Sequence, residues 1–173
     1  MLVKMSELDG KLWVESPYNP ILPAEAKKLG GRWSANLKKW VFDVRDKELV
    51  QSLYRNIYGT DGTTEVSTVT IRITWAEEQS SRNCNLFAAG RQIARVFGRD
   101  SGAKLGDGVV ILQGKIFSTG SRNNPALGVK AGTVVQLRDV PVLAAEKAKA
   151  EGIALGGTVE IQNEVRQSKG GNE

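Results

Sequence analysis

The sequence predicts an α+β protein, with an N-terminal βαββα module followed by a β-rich basic module containing one or two short helices. Three observations lead there. The aromatic residues divide the chain, since all three tyrosines and three of the four tryptophans precede residue 59. Beyond that point the chain is rich in Gly, Val and Arg, and short apolar runs are separated by turn residues, a pattern of short strands. One segment, 68–75, alternates strictly between apolar Val69, Ile71, Ile73 and Trp75 and polar Thr68, Thr70, Arg72 and Thr74, which marks a strand with one buried face.

The first module is expected over residues 1–59. Lys11–Glu15 is a short strand. Pro23 suits a first helical turn, and residues 24–29 continue to a Gly30-Gly31 stop. Arg32–Ser34 and Lys39–Asp43 flank residues 35–38 as a hairpin. A second helix begins at Asp46, its candidate N-cap, buries Leu49, Val50, Leu53 and Ile57, and ends at Gly59 as its C′ residue. The small, polar stretch at residues 60–65 is expected to be a linker.

The second module is expected over residues 66–163. After the strand at 68–75, Asn85 is positioned to cap a helix over 86–97, with Leu86, Ala89, Ile93 and Phe97 on one face and Arg91 beside Arg95 on the other. The same run also fits a strand carrying Phe87, Arg91, Ile93, Arg95, Phe97 and Arg99 on one side; the helix is the preferred expectation. Strands follow at 109–117 and 132–140, separated by a turn-rich stretch at 118–125. A short helix over 141–152, a last strand over 158–162 and a flexible tail over 164–173 complete the reading.

Composition removes several classes of function. With 40% hydrophobic and 25% charged residues, the 173-residue chain has the makeup of a globular protein. It contains no histidine and one cysteine, Cys84. Histidine general acid–base catalysis, Ser–His and Cys–His nucleophiles, and structural zinc sites are therefore excluded, as is an internal disulfide. No phosphate-binding P-loop or dinucleotide glycine motif follows a strand. A non-enzymatic protein without metal or cofactor is expected. No apolar run is long enough to span a bilayer, and the opening residues lack a signal-peptide pattern, so a cytoplasmic location without membrane association is expected.

Charge gives the positive lead. Residues 82–138 hold nine basic side chains (Arg82, Arg91, Arg95, Arg99, Lys104, Lys115, Arg122, Lys130 and Arg138) against Asp100 and Asp107, a local excess that surpasses the +5 of the whole chain. An ordinary soluble surface intersperses both signs. An excess of Lys and Arg suits phosphate neutralisation with counterion release, and Arg91, Arg95 and Arg99 are spaced to straddle phosphates. Lys115, and Arg122 within the small-residue loop 119–124, extend the group, although turn chemistry accounts for that loop equally well. In the first module, Lys11, Arg32, Lys38 and Lys39 surround Trp13 and Trp33. The neighbouring charges make these two tryptophans the candidates for stacking on bases, with burial as the competing role, while Trp40 and Phe42 are expected in the core.

Lys28, Leu29, Gly30, Trp33, Trp40 and Phe42, followed by Leu49 and Leu53, resemble the HARP domain of annealing helicases and short bacterial modules of plasmid and phage proteins. The resemblance spans about residues 11–58. It implies a PUR-type βαββα nucleic-acid-binding unit that contacts single-stranded or branched DNA, and a mobile-element setting. No helicase core follows, so ATP-driven annealing is not implied. The resulting expectation is a protein that binds single-stranded or forked DNA through a basic surface with aromatic stacking; RNA fits the same features. The alternative, from a different class, is a protein-interaction or inhibitor module docking on an acidic partner surface.

Overall fold

The computed structural model describes residues 2–167. Among these it has three α-helices and fourteen strands, and every strand pair is antiparallel. The fold is α+β and rich in strand, as the sequence predicts. No described helix is long and apolar enough to cross a membrane.

The N-terminal half runs β1 (Lys4–Leu8), β2 (Lys11–Glu15), α1 (Leu22–Lys28), β3 (Arg32–Ser34), β4 (Lys39–Asp43) and α2 (Lys47–Tyr58), with sheet order β1-β2-β4-β3. The sheet's inner face contributes Leu12, Val14, Trp40 and Phe42 to a core completed by Leu22 and Ala26 of α1 and by Val50, Tyr54 and Tyr58 of α2. Strand β1 is absent from the sequence reading. It is an edge strand whose residues are exposed except the half-buried Met5, so it has no apolar alternation to reveal it. Its turn was nevertheless written in the chain: Asp9 and Gly10 take φ of 50° and 69°, the left-handed pair of a tight hairpin.

Two details of α2 differ from expectation. The capping carboxylate is Asp43, which accepts from the Arg45 amide at 3.1 Å at the head of a 3-10 turn over Val44–Asp46, while Asp46 makes no side-chain cap. The buried stripe runs Val50, Tyr54, Tyr58, leaving Leu49 exposed. Tyr54 packs edge-on against Phe42 of the sheet, ring centroids 6.3 Å apart, and Tyr58 stacks on Tyr54 at 5.8 Å.

In the C-terminal half, β5 (Ser67–Trp75) is central to a sheet ordered β10 (Val109–Gln113), β13 (Thr133–Pro141), β5, β14 (Thr158–Gln167). A second sheet joins β11 (Ile116–Gly120), β12 (Pro125–Val129) and β6 (Gln79–Ser80), and a third joins β7 (Asn85–Ala88), β8 (Arg91–Val96) and β9 (Ala103–Leu105). Helix α3 (Val142–Glu151) adds Ala144, Ala145 and Ala148 to the core that these sheets share. Of the expected tail, residues 164–167 belong to β14, and residues 168–173 lie outside the described residues.

The preferred helix over 86–97 is instead the β7–β8 hairpin. Its turn residues Ala89 and Gly90 have φ of 48° and 75°, which a right-handed helix forbids. The alternative of one strand through the same run fails as well: the turn at Ala89-Gly90 breaks it into two strands, and its faces differ. The register shifts between Leu86 and Phe87, pairing Leu86 with Ala94 but Phe87 with Gln92, so Ile93 is an extra residue in β8. That bulge places Arg91 and Arg95 on opposite faces.

The stretch at 60–65 is not a loose tether. Thr60 and Asp61 are buried, and Asp61 accepts from Thr63 (Oγ1 at 2.6 Å, amide at 2.9 Å) and pairs with Arg55 at 2.6 Å. The two halves meet through the loop at residues 16–20. Tyr58 Oη donates to the Pro17 carbonyl at 2.7 Å, and the buried Asn19 donates from Nδ2 to the Gly90 carbonyl at 3.1 Å. Lys147 Nζ adds a bond to the Asn56 carbonyl at 3.0 Å.

Gly90 is pressed against the Ile57 carbonyl oxygen, where a Cβ would collide. Added to the cost of roughly 1–2 kcal/mol for a left-handed L-residue, this predicts that Gly90→Ala lowers stability by more than about 2 kcal/mol in urea denaturation; an unchanged midpoint contradicts the packing. Burial raises the pKa of Asp61, but hydrogen bonds from Thr63 and Arg55 outweigh it and hold the carboxyl below its ordinary 3.8. A depressed folded-state pKa contributes stability above the unfolded value and loses it as pH falls through the folded one. Asp61→Asn is therefore expected to be less stable than wild type at pH 7 and to lose less on acidification below about pH 4, as read from denaturation midpoints against pH.

Candidate nucleic-acid interface

The candidate residues of the first half divide between the two faces of its sheet. Directly opposed residues of antiparallel strands share a face. Trp13 opposes Val41, and Val41 opposes Arg32, so these three form a row on the open face, flanked by Lys11 and Lys39. Two of its cations are engaged: Lys11 pairs with Asp43 at 3.2 Å and Lys39 with Glu15 at 4.0 Å. Lys38 stands at the hairpin tip with φ of 52°. Trp33 opposes Trp40 and so lies on the inner face, but edge strand β3 leaves it 51% exposed. Trp40 and Phe42 are buried in the core.

Trp33 and Trp40, with ring centroids 5.6 Å apart and planes inclined at 57°, line a hollow of about 420 Å³ with Leu22, Pro23, Pro17 and Tyr18. Lys27, Ser16 and Asn19 supply its polar groups. A neighbouring hollow of about 300 Å³ is lined by Arg95, Phe97, Lys104, Gln92 and Asp107, and again by Pro17 and Tyr18. The two hollows therefore adjoin across one loop, between the halves of the chain. Tyr18 is 58% exposed and Phe97 60%, whereas large apolar rings usually bury most of their surface. Tyr18 is fixed from both sides. Its neighbours Pro17 and Asn19 are hydrogen bonded, and its ring lies 6.1 Å from that of Phe87. Burial pushes the Tyr58 phenol up to about 12, so it stays protonated and donates to Pro17 at any ordinary pH.

The cations of the second hollow are arranged unusually. Arg95 opposes Lys104 across β8 and β9, and like charges in that position repel. The Arg95 guanidinium sits 4.6 Å from the centre of the Phe97 ring, an attraction that leaves the charge uncompensated. Such a pair is an anion-binding arrangement.

Arg91 corrects the sequence reading. It is 5% exposed, and its guanidinium donates to the carbonyls of Arg138 at 2.7 Å, Asp139 at 3.2 Å and Asp107 at 2.5 Å. The first two belong to the bulge of β13, where the ladder with β5 breaks between Leu137 and Val140 and Asp139 takes φ of 54°. Arg91 thus satisfies carbonyls released by the bulge. Burial lowers its pKa, partly opposed by Asp139 and Asp107. It is a structural residue.

Arg99 also departs from a phosphate-straddling row, since it lies in an exposed bend and forms a bidentate pair with Asp100 at 3.0 Å. Lys115 and Arg122 are exposed at separate turns, before β11 and between β11 and β12. Of the predicted residues, Trp33, Arg95 and the buried Arg91 line the adjoining hollows. Tyr18, Lys27, Phe97 and Lys104 were missed. Tyr18, set among Pro17, Asn19 and Pro20, carried the one local signal: an aromatic held in a loop rather than on a periodic face. Among the described residues, no three Asp, Glu or Cys side chains stand together as metal ligands. The chain matches no protein-family model, no curated protein and no solved structure.

The two arginines, equivalent in sequence, are predicted to separate sharply. Arg91→Ala leaves three carbonyls unsatisfied and costs about 3 kcal/mol or more in urea denaturation. Arg95→Ala changes stability by less than about 0.5 kcal/mol. Equal effects contradict the assignment.

Proposed function

We propose that this chain is a non-enzymatic protein that binds single-stranded DNA along the groove formed by the two adjoining hollows. The observation that carries this reading is the line of exposed rings, Trp33, Tyr18 and Phe97, interleaved with Lys27, Arg95 and Lys104. Sequence-tolerant binding of single strands needs flat apolar surfaces on which bases stack and cations beside them for the backbone. Duplex DNA keeps its bases stacked on one another and offers no free ring faces. The likeness of residues 11–58 to a HARP-like unit supports the same ligand and adds forked DNA, where single strands emerge from a duplex. The Trp13–Arg32 face of the first sheet is a second, weaker candidate contact, since Lys11 and Lys39 already have acidic partners.

Fluorescence anisotropy with labelled single-stranded, forked and duplex DNA and with RNA, titrated across salt, tests the proposal. Affinity is expected to follow single-stranded or forked over duplex DNA and to fall linearly in log salt. Replacing Arg95 and Lys104 by Ala reduces that slope by about two phosphate contacts. Trp33→Ala weakens binding by roughly 1–3 kcal/mol without changing the slope. Absence of binding at low salt overturns the proposal and directs attention to an acidic protein partner.

A further inference from the structure

Resting on the reading of the groove as a single-strand site, we infer that the two hollows divide one nucleotide between them. The Trp33–Trp40 hollow receives a single base, and the Arg95–Lys104 pair receives the adjoining phosphate. Six of the nine residues that wall the first hollow are apolar or aromatic: Trp33, Trp40, Leu22, Pro23, Pro17 and Tyr18. Polar groups are confined to Ser16, Asn19 and Lys27, so the occupant is a flat apolar body with a few polar edges. Trp40 is held in the core as the fixed wall, and Trp33, inclined to it rather than stacked on it, keeps half of its surface open.

The second hollow calls for the opposite chemistry. Arg95 and Lys104 oppose one another in register with no ion pair to either among the described residues, Asp107 standing on the same wall, and an anion between them relieves their repulsion. Pro17 and Tyr18 line both hollows, so an occupant of both carries a flat apolar part directly beside an anionic part. A nucleotide within a strand has that constitution. Binding of this kind takes the base out of its stack, and one base and one phosphate of the strand then dominate affinity over the rest.

The test uses the full-length protein and the shortest oligothymidylate that it binds, so that the strand has no room to slide. An abasic site is placed at each position in turn, and a neutral methylphosphonate at each linkage. One abasic position is expected to lower affinity about tenfold and one neighbouring linkage a comparable amount, with changes below about twofold elsewhere. Base occupancy is also expected to quench tryptophan emission, and Trp33→Phe is expected to lose most of that quench while keeping most of the affinity. Equal small losses at every position overturn the division into base and phosphate sites while leaving single-strand binding intact. Failure of the unmodified oligothymidylate to bind at any length removes the underlying reading as well.

Discussion

The loop at residues 16–20 is held by two hydrogen bonds that reach it from different parts of the chain, and the groove depends on both. The Tyr58 phenol, at the end of α2, fixes the Pro17 carbonyl, and the Asn19 amide fixes the Gly90 carbonyl at the tip of the β7–β8 hairpin. Between these anchors stands Tyr18, whose ring lies beside both hollows. Each half alone offers only part of a site: an aromatic hollow from the first sheet and α1, a cationic one from β8 and β9. The buried Asn19, which also accepts from the Ile21 amide at 2.9 Å, makes them adjoin. A buried polar group bonded on both sides fixes geometry more narrowly than apolar contact does.

Much of the fold was legible because its strands and helices carry clean periods. Lys11–Glu15, Arg32–Ser34 and Lys39–Asp43 form with the bounds that the sequence indicates, and α2 ends at Gly59, which takes the left-handed conformation with φ of 74°. The failures share a physical origin. Over 86–97 a hairpin with a bulge at Ile93 places Leu86, Ile93 and Ala94 inside, spacing that also fits a helical face; only the conformation of Ala89-Gly90 separates the two. Strand β1 is paired but almost wholly exposed, so hydrogen bonding rather than burial defines it, and hydrogen bonding leaves no mark on hydropathy.

The charge excess over residues 82–138 was a poor guide to which cations stand free. Several of those cations have structural employment: Arg91 braces the β13 bulge, Lys130 pairs with Glu78 at 2.7 Å, and Arg99 pairs with Asp100. The acids that neutralise them lie close in sequence or across strands, which a count over a segment cannot resolve. Arg95 and Lys104 are set apart by their mutual opposition and by the exposed ring of Phe97 beside them. Trp33 was singled out in the sequence by the charge of its neighbour Arg32, and Arg95 by its spacing from Arg91 on a helix that does not form. Tyr18 and Lys104 enter the groove only through tertiary structure.

Photocrosslinking tests the central claim most directly. An oligonucleotide carrying 5-iodouracil, irradiated in complex with the intact protein and mapped by mass spectrometry, joins to aromatic side chains that touch its bases. Crosslinks at Trp33, Tyr18 or Phe97 are the predicted result. Crosslinks confined to Trp13 on the opposite face of the first sheet, with none in the groove, contradict the account.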